Sequence, residues 1–374
     1  MSAENARARS KKYAAIKTKI FVADIILSVV ALGAFQLLLS RPVSRFAFEA
    51  HHNFYIACFI YTAVFLGFMY VASFPLNITG SFFVEKSFAL SKQSFFAWVC
   101  DEAKSVALSF VLYMACIEVF YLILRNFPTF WWAIAAGAWI FFSVVLARLM
   151  PVLLIPIFFK YSPIEDASLK EKIMALAEKS RIRLTEVCQI DFSRKTTKAN
   201  AALVGLGGTR KVILADTLMN EFEQDEVVAV VAHEFGHQKY RHIWQLLAFS
   251  AVMTTAGFFV LSRVAEKVVA LAGATGLTDL YIFPVLVFLM LAFGILLLPI
   301  QNYFSRVLER QADRFVFEVT GKPDAFIAVM RKLADTNLAD MNPSFLKKIF
   351  MYNHPPVSER IEMGEREKSK TENI

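Results

Sequence analysis

Six stretches of this chain stay apolar long enough to cross a bilayer as helices, at roughly 20–39, 54–74, 105–124, 130–150, 244–262 and 282–303. A crossing takes ~20 residues, and peptide groups cannot face lipid unpaired, so each run predicts a helix. The first, "IFVADIILSVVALGAFQLLL", has no A-x-A-like cleavage end and reads as a retained span rather than a signal peptide. The fourth runs on into "PVLLIPIFF", whose two prolines predict a kink or a break. That extension is too short to cross alone and long enough for a re-entrant turn.

Between the fourth and fifth runs the pattern changes. "SLKEKIMALAEKS" places Leu169, Ile173, Leu176 and Ala177 on one face, which predicts an amphipathic helix. "TEVCQIDF" and "RKVILAD" read as short strands, and "KTTKANAALVGLGG" between them as an extended segment closed by a glycine turn. GLGG is part of a nucleotide-loop pattern, but no GxGxxG followed by a helix is present. There is no internal repeat, and only the last ten residues read as disordered. The chain thus divides into a four-span region at 1–159, a cap at 160–243, a two-span region at 244–303 and C-terminal helices at 304–374.

Composition supports the same class. Of 374 residues, 57% are hydrophobic, 37 are phenylalanines and only 19% are charged, too apolar for an ordinary soluble domain. The net charge of +8 does not point to nucleic acid, because the positives flank apolar runs rather than interleave with exposed aromatics. "RARSKKYAAIKTK" before the first span places the N-terminus in the cytoplasm. Six crossings then put 75–104, 160–243 and 304–374 on that side, and the opposing segments 40–53, 125–129 and 263–281 carry few positives. His51 and His52 fall on the far side. Cys58, Cys100, Cys116 and Cys188 show no ligand spacing, and no disulfide framework is implied.

The chemistry concentrates in "VVAHEFGHQKYRH", residues 230–242. Residues four apart share a helix face, so His233 and His237 can bind one cation, and zinc favours such ligands with a position left for water. Glu234 then stands where it can take a proton from that water. The bland alternative is a chance HExxH on an ordinary amphipathic helix. A third protein ligand is needed, and "NYFSRVLERQADRF" after the sixth run offers Glu309 and Asp313 one turn apart. Both helices read as cytoplasmic continuations of spans five and six. His242 and Arg241 point off the ligand face and read as head-group contacts.

With HEFGH at 233–237, SRVLERQAD at 305–313, KANA at 198–201, VILADTL at 212–218 and NHPPVSERI at 353–361, the sequence resembles the type I CAAX prenyl proteases, membrane-embedded zinc endopeptidases of the Ste type. The resemblance runs from about residue 54 to 362, motifs in order, and "VEKSFALSKQS" looks like the family's loop before the third span here. It implies an α-helical multispanning membrane protein of about six spans with a small cytoplasmic α+β zinc-peptidase cap. It implies His233, His237 and Glu309 as ligands of one Zn2+ and Glu234 as general base. Asp313 would orient a ligand histidine or supply a proton, and His354 and Arg360 would line the cleft and stabilise an oxyanion or anchor substrate carbonyls. Asn200 and Ala201 would hold the substrate as an added strand. Substrates would be polypeptides, either prenylated C-terminal tails or membrane-protein segments. The membrane would be the plasma or inner membrane of a bacterium or the endoplasmic reticulum of a eukaryote.

From the residues alone, the bland alternatives are a helix-surface salt bridge of Asp313 with Arg310 or Arg314, a turn position for His354 and an ordinary loop role for Asn200. Two departures from the family stand out: its Asn-Ala-Tyr is Asn-Ala-Ala here, and its eukaryotic members have seven spans against six. Glu118, within the third span, reads as facing a wet interior, and Arg148 as facing the same interior or snorkelling. A different class, a membrane scaffold or transporter with structural zinc, fits less well, because structural zinc usually has four protein ligands.

Overall fold

The computed structural model describes residues 3–205 and 210–372. Among them, six helices are long and apolar enough to cross a membrane: Asn5–Ala50, Phe54–Ser87, Phe95–Asn126, Trp131–Leu149, His242–Ala272 and Leu280–Thr320. All six expected spans are present, and only 11–28% of each apolar window is buried within the protein. Most overshoot the bilayer. At 1.5 Å per residue the 46-residue first helix is about 69 Å long, against ~30 Å of hydrocarbon. Its basic N-terminal part therefore projects beyond the membrane, where Tyr13 packs edge-on against Phe88.

The "PVLLIPIFF" segment forms one wide π-type turn, Met150–Leu154, and a short helix, Ile155–Phe158, before Phe159 becomes extended. It breaks the fourth span and makes no seventh crossing.

The cap is a four-stranded sheet in the order β1-β2-β4-β3, made of β1 (Tyr161–Pro163), β2 (Glu186–Ile190), β3 (Ala201–Val204) and β4 (Lys211–Ala215). β2 and β4 run parallel, and β1 and β3 flank them antiparallel. β1, too short to show alternation, was not anticipated. β3 is an edge strand. Of the expected glycine turn at 205–208, only Gly205 lies within the described residues, and its φ of 91° is a conformation that suits glycine. The helix Ala167–Lys179, capped by Asp166 accepting from the Leu169 amide at 3.0 Å, buries the four residues its pattern predicts.

The helix Gln224–Lys239 carries HEFGH. It starts with a reciprocal cap between Glu223 and Glu226, and Val227, Val231 and Phe235 enter one apolar core with Phe315, Val316 and Val319 of the sixth helix. It is not continuous with span five, as the helical pattern implied. The helix ends at Lys239, Arg241 adopts a left-handed conformation at φ 56°, and the span begins at His242. The sixth helix does continue unbroken, Phe283–Thr320, out of the membrane and into the cap.

Of the last ten residues, expected to be disordered, 365–372 are helical, within Val357–Glu372, and 373–374 lie outside the described residues. Ile361 is buried, Gly364 lets the helix close onto Ile327 of Pro323–Thr336, and Lys368 pairs with Asp324 at 2.7 Å. This docking is invisible to local composition.

One close approach sets the geometry of the cap. A Cβ at Gly236 would lie 2.8 Å from Ala312 Cα, so the Gln224–Lys239 helix can lie on the sixth helix only because residue 236 has no side chain. Gly236→Ala should therefore part the helices, lower stability by about 1–3 kcal/mol and reduce bound metal. Gly137→Ala, where nothing stands within 4 Å of the added methyl, should leave both unchanged. Thermal unfolding and elemental analysis of the two variants check this.

Candidate metal and active site

Lying the Gln224–Lys239 helix along the sixth helix brings three ligand atoms together. His233 Nε2 and His237 Nε2 are 3.1 Å apart, and Glu309 oxygens lie 3.2 Å from the first and 3.3 Å from the second. A tetrahedral ion with ligands at ~2.0–2.1 Å needs donor separations of about 3.3 Å, so the spacing fits a metal. These three residues form a metal-capable cluster among the described residues.

The hydrogen-bond network around them fixes which nitrogen carries the proton. Asp313, fully buried, lies 2.9 Å from His233 Nδ1 and can only accept there, so His233 keeps a proton on Nδ1 and presents the Nε2 lone pair. On the other side Gln311 Oε1 accepts from His242 Nε2 at 3.0 Å, which makes His242 Nδ1 the acceptor for His237 Nδ1 at 2.9 Å. His237 therefore also presents its Nε2 lone pair. The Nε2 atoms of both histidines and the buried carboxylate of Glu309 thus converge on one point, a donor set suited to a cation.

The electrostatics agree. Burial works against a charged His233, yet its hydrogen bonds to Asp313 and Glu309 hold its pKa up at about 9, so without a cation Nε2 also carries a proton, which a metal would displace. For His237, burial and the neighbouring His233 lower the pKa to about 4, so it is neutral and free to ligate at physiological pH. Glu234 follows His233 on the same helix, half-buried, and accepts from the Leu203 amide of β3. Burial raises its pKa above that of an ordinary glutamate.

Arg360 differs from its expected place in an open cleft. Its Nε and Nη2 donate to Asp313 at 2.9 and 2.6 Å, because a buried carboxylate needs a compensating charge. Neither Arg310 nor Arg314 takes that role: Arg310 pairs with Glu359. His354 stands at the rim, its ring 54% exposed and its Nε2 3.4 Å from Glu309. Asn200 is exposed just before β3, its side-chain oxygen accepting from the Ala201 amide at 2.9 Å. His242 is the sequence reading that fails: it is 1% exposed and bonded to His237, not to head groups. A spacing of five is no helix-face repeat, and only the left-handed turn at Arg241 swings the ring back. Gln311 carried no signal in the sequence.

Fold and site together describe a metallopeptidase whose active centre is mounted on a membrane-spanning helix. Comparison with known proteins narrows that class: the profile described as peptidase family M48 matches residues 163–367, and one described as CAAX prenyl protease N-terminal, five membrane helices, matches residues 2–160. The chain belongs to peptidase family M48. It is 30% identical over 318 residues to the uncharacterized metalloprotease YhfN of Bacillus subtilis, covering 82% of this chain and 74% of that one. It is 31% identical over 307 residues to CAAX prenyl protease 1 of Saccharomyces cerevisiae, covering 77% and 67%. The crystal structure of S. mikatae Ste24p shares the fold, with a TM-score of 0.85 and 23% identity over 96% of this chain and 89% of that one. The protein is a membrane metalloprotease.

Metal content separates the contributions of these side chains. Glu309→Ala should strip the site, whereas Glu318→Ala, exposed further along the same helix, should not. His242→Phe, which removes the partner of His237, should weaken metal binding by about 10–100-fold. Titration of the stripped protein with metal distinguishes the three; a Glu309→Ala variant with full metal would exclude Glu309 as a ligand.

Proposed function

We propose that the metal is zinc and that the site cuts polypeptides laid along β3 at the cytoplasmic face of the membrane. The observation that carries this reading is the position of Glu234, beside a three-ligand centre and bonded to an outward amide of an edge strand. Two histidines and a glutamate with one open position are a catalytic zinc set, whereas a structural site would need a fourth protein ligand. Bound there, zinc supplies Lewis-acid polarisation of the scissile carbonyl and of the attacking water.

The chain's own residues do the rest. Glu234 takes the proton from water and hands it to the leaving amine, which requires its carboxylate form at the start. Asp313 keeps the His233 proton on Nδ1, and Arg360 neutralises Asp313 so that this arrangement survives burial. His354 at the rim faces the carbonyl oxygen as its negative charge develops. An extended substrate pairs with the free side of β3, and the Asn200 amide nitrogen reaches one of its carbonyls. Ala201, where the family carries tyrosine, opens the cleft beside that strand.

The substrate class is peptide chain at the membrane surface. The yeast relative is a CAAX prenyl protease by name, and farnesylated tails are one such substrate; segments of membrane proteins are another. Mass spectrometry of products from farnesylated and unmodified peptides separates them: equal turnover would place prenyl recognition outside this enzyme.

Glu234→Gln should abolish turnover while metal content stays at that of the parent. In the parent, kcat/KM should fall as the pH drops through the Glu234 pKa, because the protonated carboxyl cannot act as base. Burial places that fall above the range of an ordinary glutamate. Stripping of metal from the Gln variant, or retained turnover, would remove Glu234 from the role of base.

Sidedness is tested by labelling. In a cysteine-free variant, single cysteines at Ser168 and Ser369 should resist a membrane-impermeant thiol reagent in intact cells, and one at Thr278 should react. Labelling at Ser168 without permeabilisation would put the site on the outer face.

A further inference from the structure

Immediately before β3, residues 195–199 are fastened to the membrane domain as well as to the cap, where Thr217 Oγ1 donates to Lys198 O at 2.8 Å and Ala199 N–H to Asn337 Oδ1 at 3.1 Å. Lys195 Nζ pairs with Asp101 of the third span at 2.5 Å, and Lys198 Nζ with Glu85, in the last turn of the second, at 2.8 Å. Asp101 and Glu85 are largely covered, with side chains 22% and 13% exposed, unlike surface pairs that contribute little. Backbone bonds run alongside: Lys92 N–H to Lys195 O at 2.9 Å and Thr197 N–H to Leu90 O at 3.0 Å. Glu85 is held in turn from the N-terminal helix, by Tyr13 at 2.6 Å and Lys17 at 3.2 Å. The two lysines of "KTTKANA" are thus engaged, and neither belongs to the metal site.

β3 has only four residues and pairs on one side only, with β4. A strand so short is weakly specified in register, and a slip of one residue would turn every side chain to the other face. We propose that Lys195 and Lys198 are positioning residues whose ion pairs to Asp101 and Glu85 fix where β3 stands against Glu234, so that the membrane domain sets the register of the bound substrate. This rests on the reading that substrate adds to β3.

The test uses the full chain in liposomes and a quenched-fluorescent farnesylated peptide ending in a CAAX tetrapeptide, with its unmodified counterpart. Lys198→Gln and Glu85→Gln should each raise KM about tenfold, with kcat within about twofold of the parent and metal content unchanged. The double variant should be no worse than Glu85→Gln alone, which already removes the Lys198 pair together with the Lys17 one. Lys195→Gln and Asp101→Asn give the same comparison independently if Glu85 variants fail to fold. Products should include a second cut one residue from the first. An unchanged KM at both pairs, or a fall in kcat with KM unmoved, overturns the proposal. A peptide N-methylated at the amide facing β3 tells the two readings apart. If methylation is harmless, strand addition itself fails; if it weakens binding while the lysine variants do not, only the positioning role fails.

Discussion

The crossing of the Gln224–Lys239 helix over the sixth helix at Gly236 and Ala312 is the contact on which the rest of the site depends. Glu309 and Asp313 flank Ala312 on one side of that crossing, and His233 and His237 flank Gly236 on the other. Two small residues let the backbones approach, and the ligands on either side then fall within coordination distance without a loop to carry them. The apolar residues at the same crossing, Val231 and Phe235 against Phe315 and Val316, make it part of the cap's main core. Packing and ligation therefore reinforce each other: loosening the core moves the ligands.

Around that contact, charge is arranged in layers. A buried carboxylate orients the His233 imidazole and a guanidinium balances that carboxylate, so Arg360, Asp313 and His233 form a chain from the C-terminal helix to the metal position. A second chain, Gln311 to His242 to His237, does the same from the other side without net charge. The C-terminal helix is thus a working part of the site.

Much of this was legible because it is local and periodic. The spans follow from uninterrupted apolar runs, the cap helix from the repeat of Leu169, Ile173, Leu176 and Ala177, and the ligand pair from a spacing of four. What escaped depends on chain reversals and distant partners. β1 has three residues and no pattern. His242 looked like a boundary residue because nothing in its sequence announces the left-handed Arg241. Arg360 looked like a cleft donor because its tie to Asp313, 47 positions away, exists only once Val357–Glu372 has docked. The tail itself read as disordered for the same reason. The stretch matched by the five-helix description holds four helices long and apolar enough to cross among its described residues, Asn5–Ala50 to Trp131–Leu149, in agreement with the hydropathy pattern.

The break at Arg241 has a mechanical side. It separates the histidine-bearing helix from the start of the fifth span, while the sixth span passes into the cap as one continuous helix through Pro299. The metal centre is therefore joined to one span through a turn and to the other through continuous helix. From the middle of the 282–303 run to Glu309 is about 24 Å along that rod, so a tilt of about 5° would carry the centre sideways by about 2 Å. Helices tilt to match the thickness of the bilayer around them. In this protein such an adjustment would be carried along the sixth helix to the metal centre, so that anchorage and site share one element.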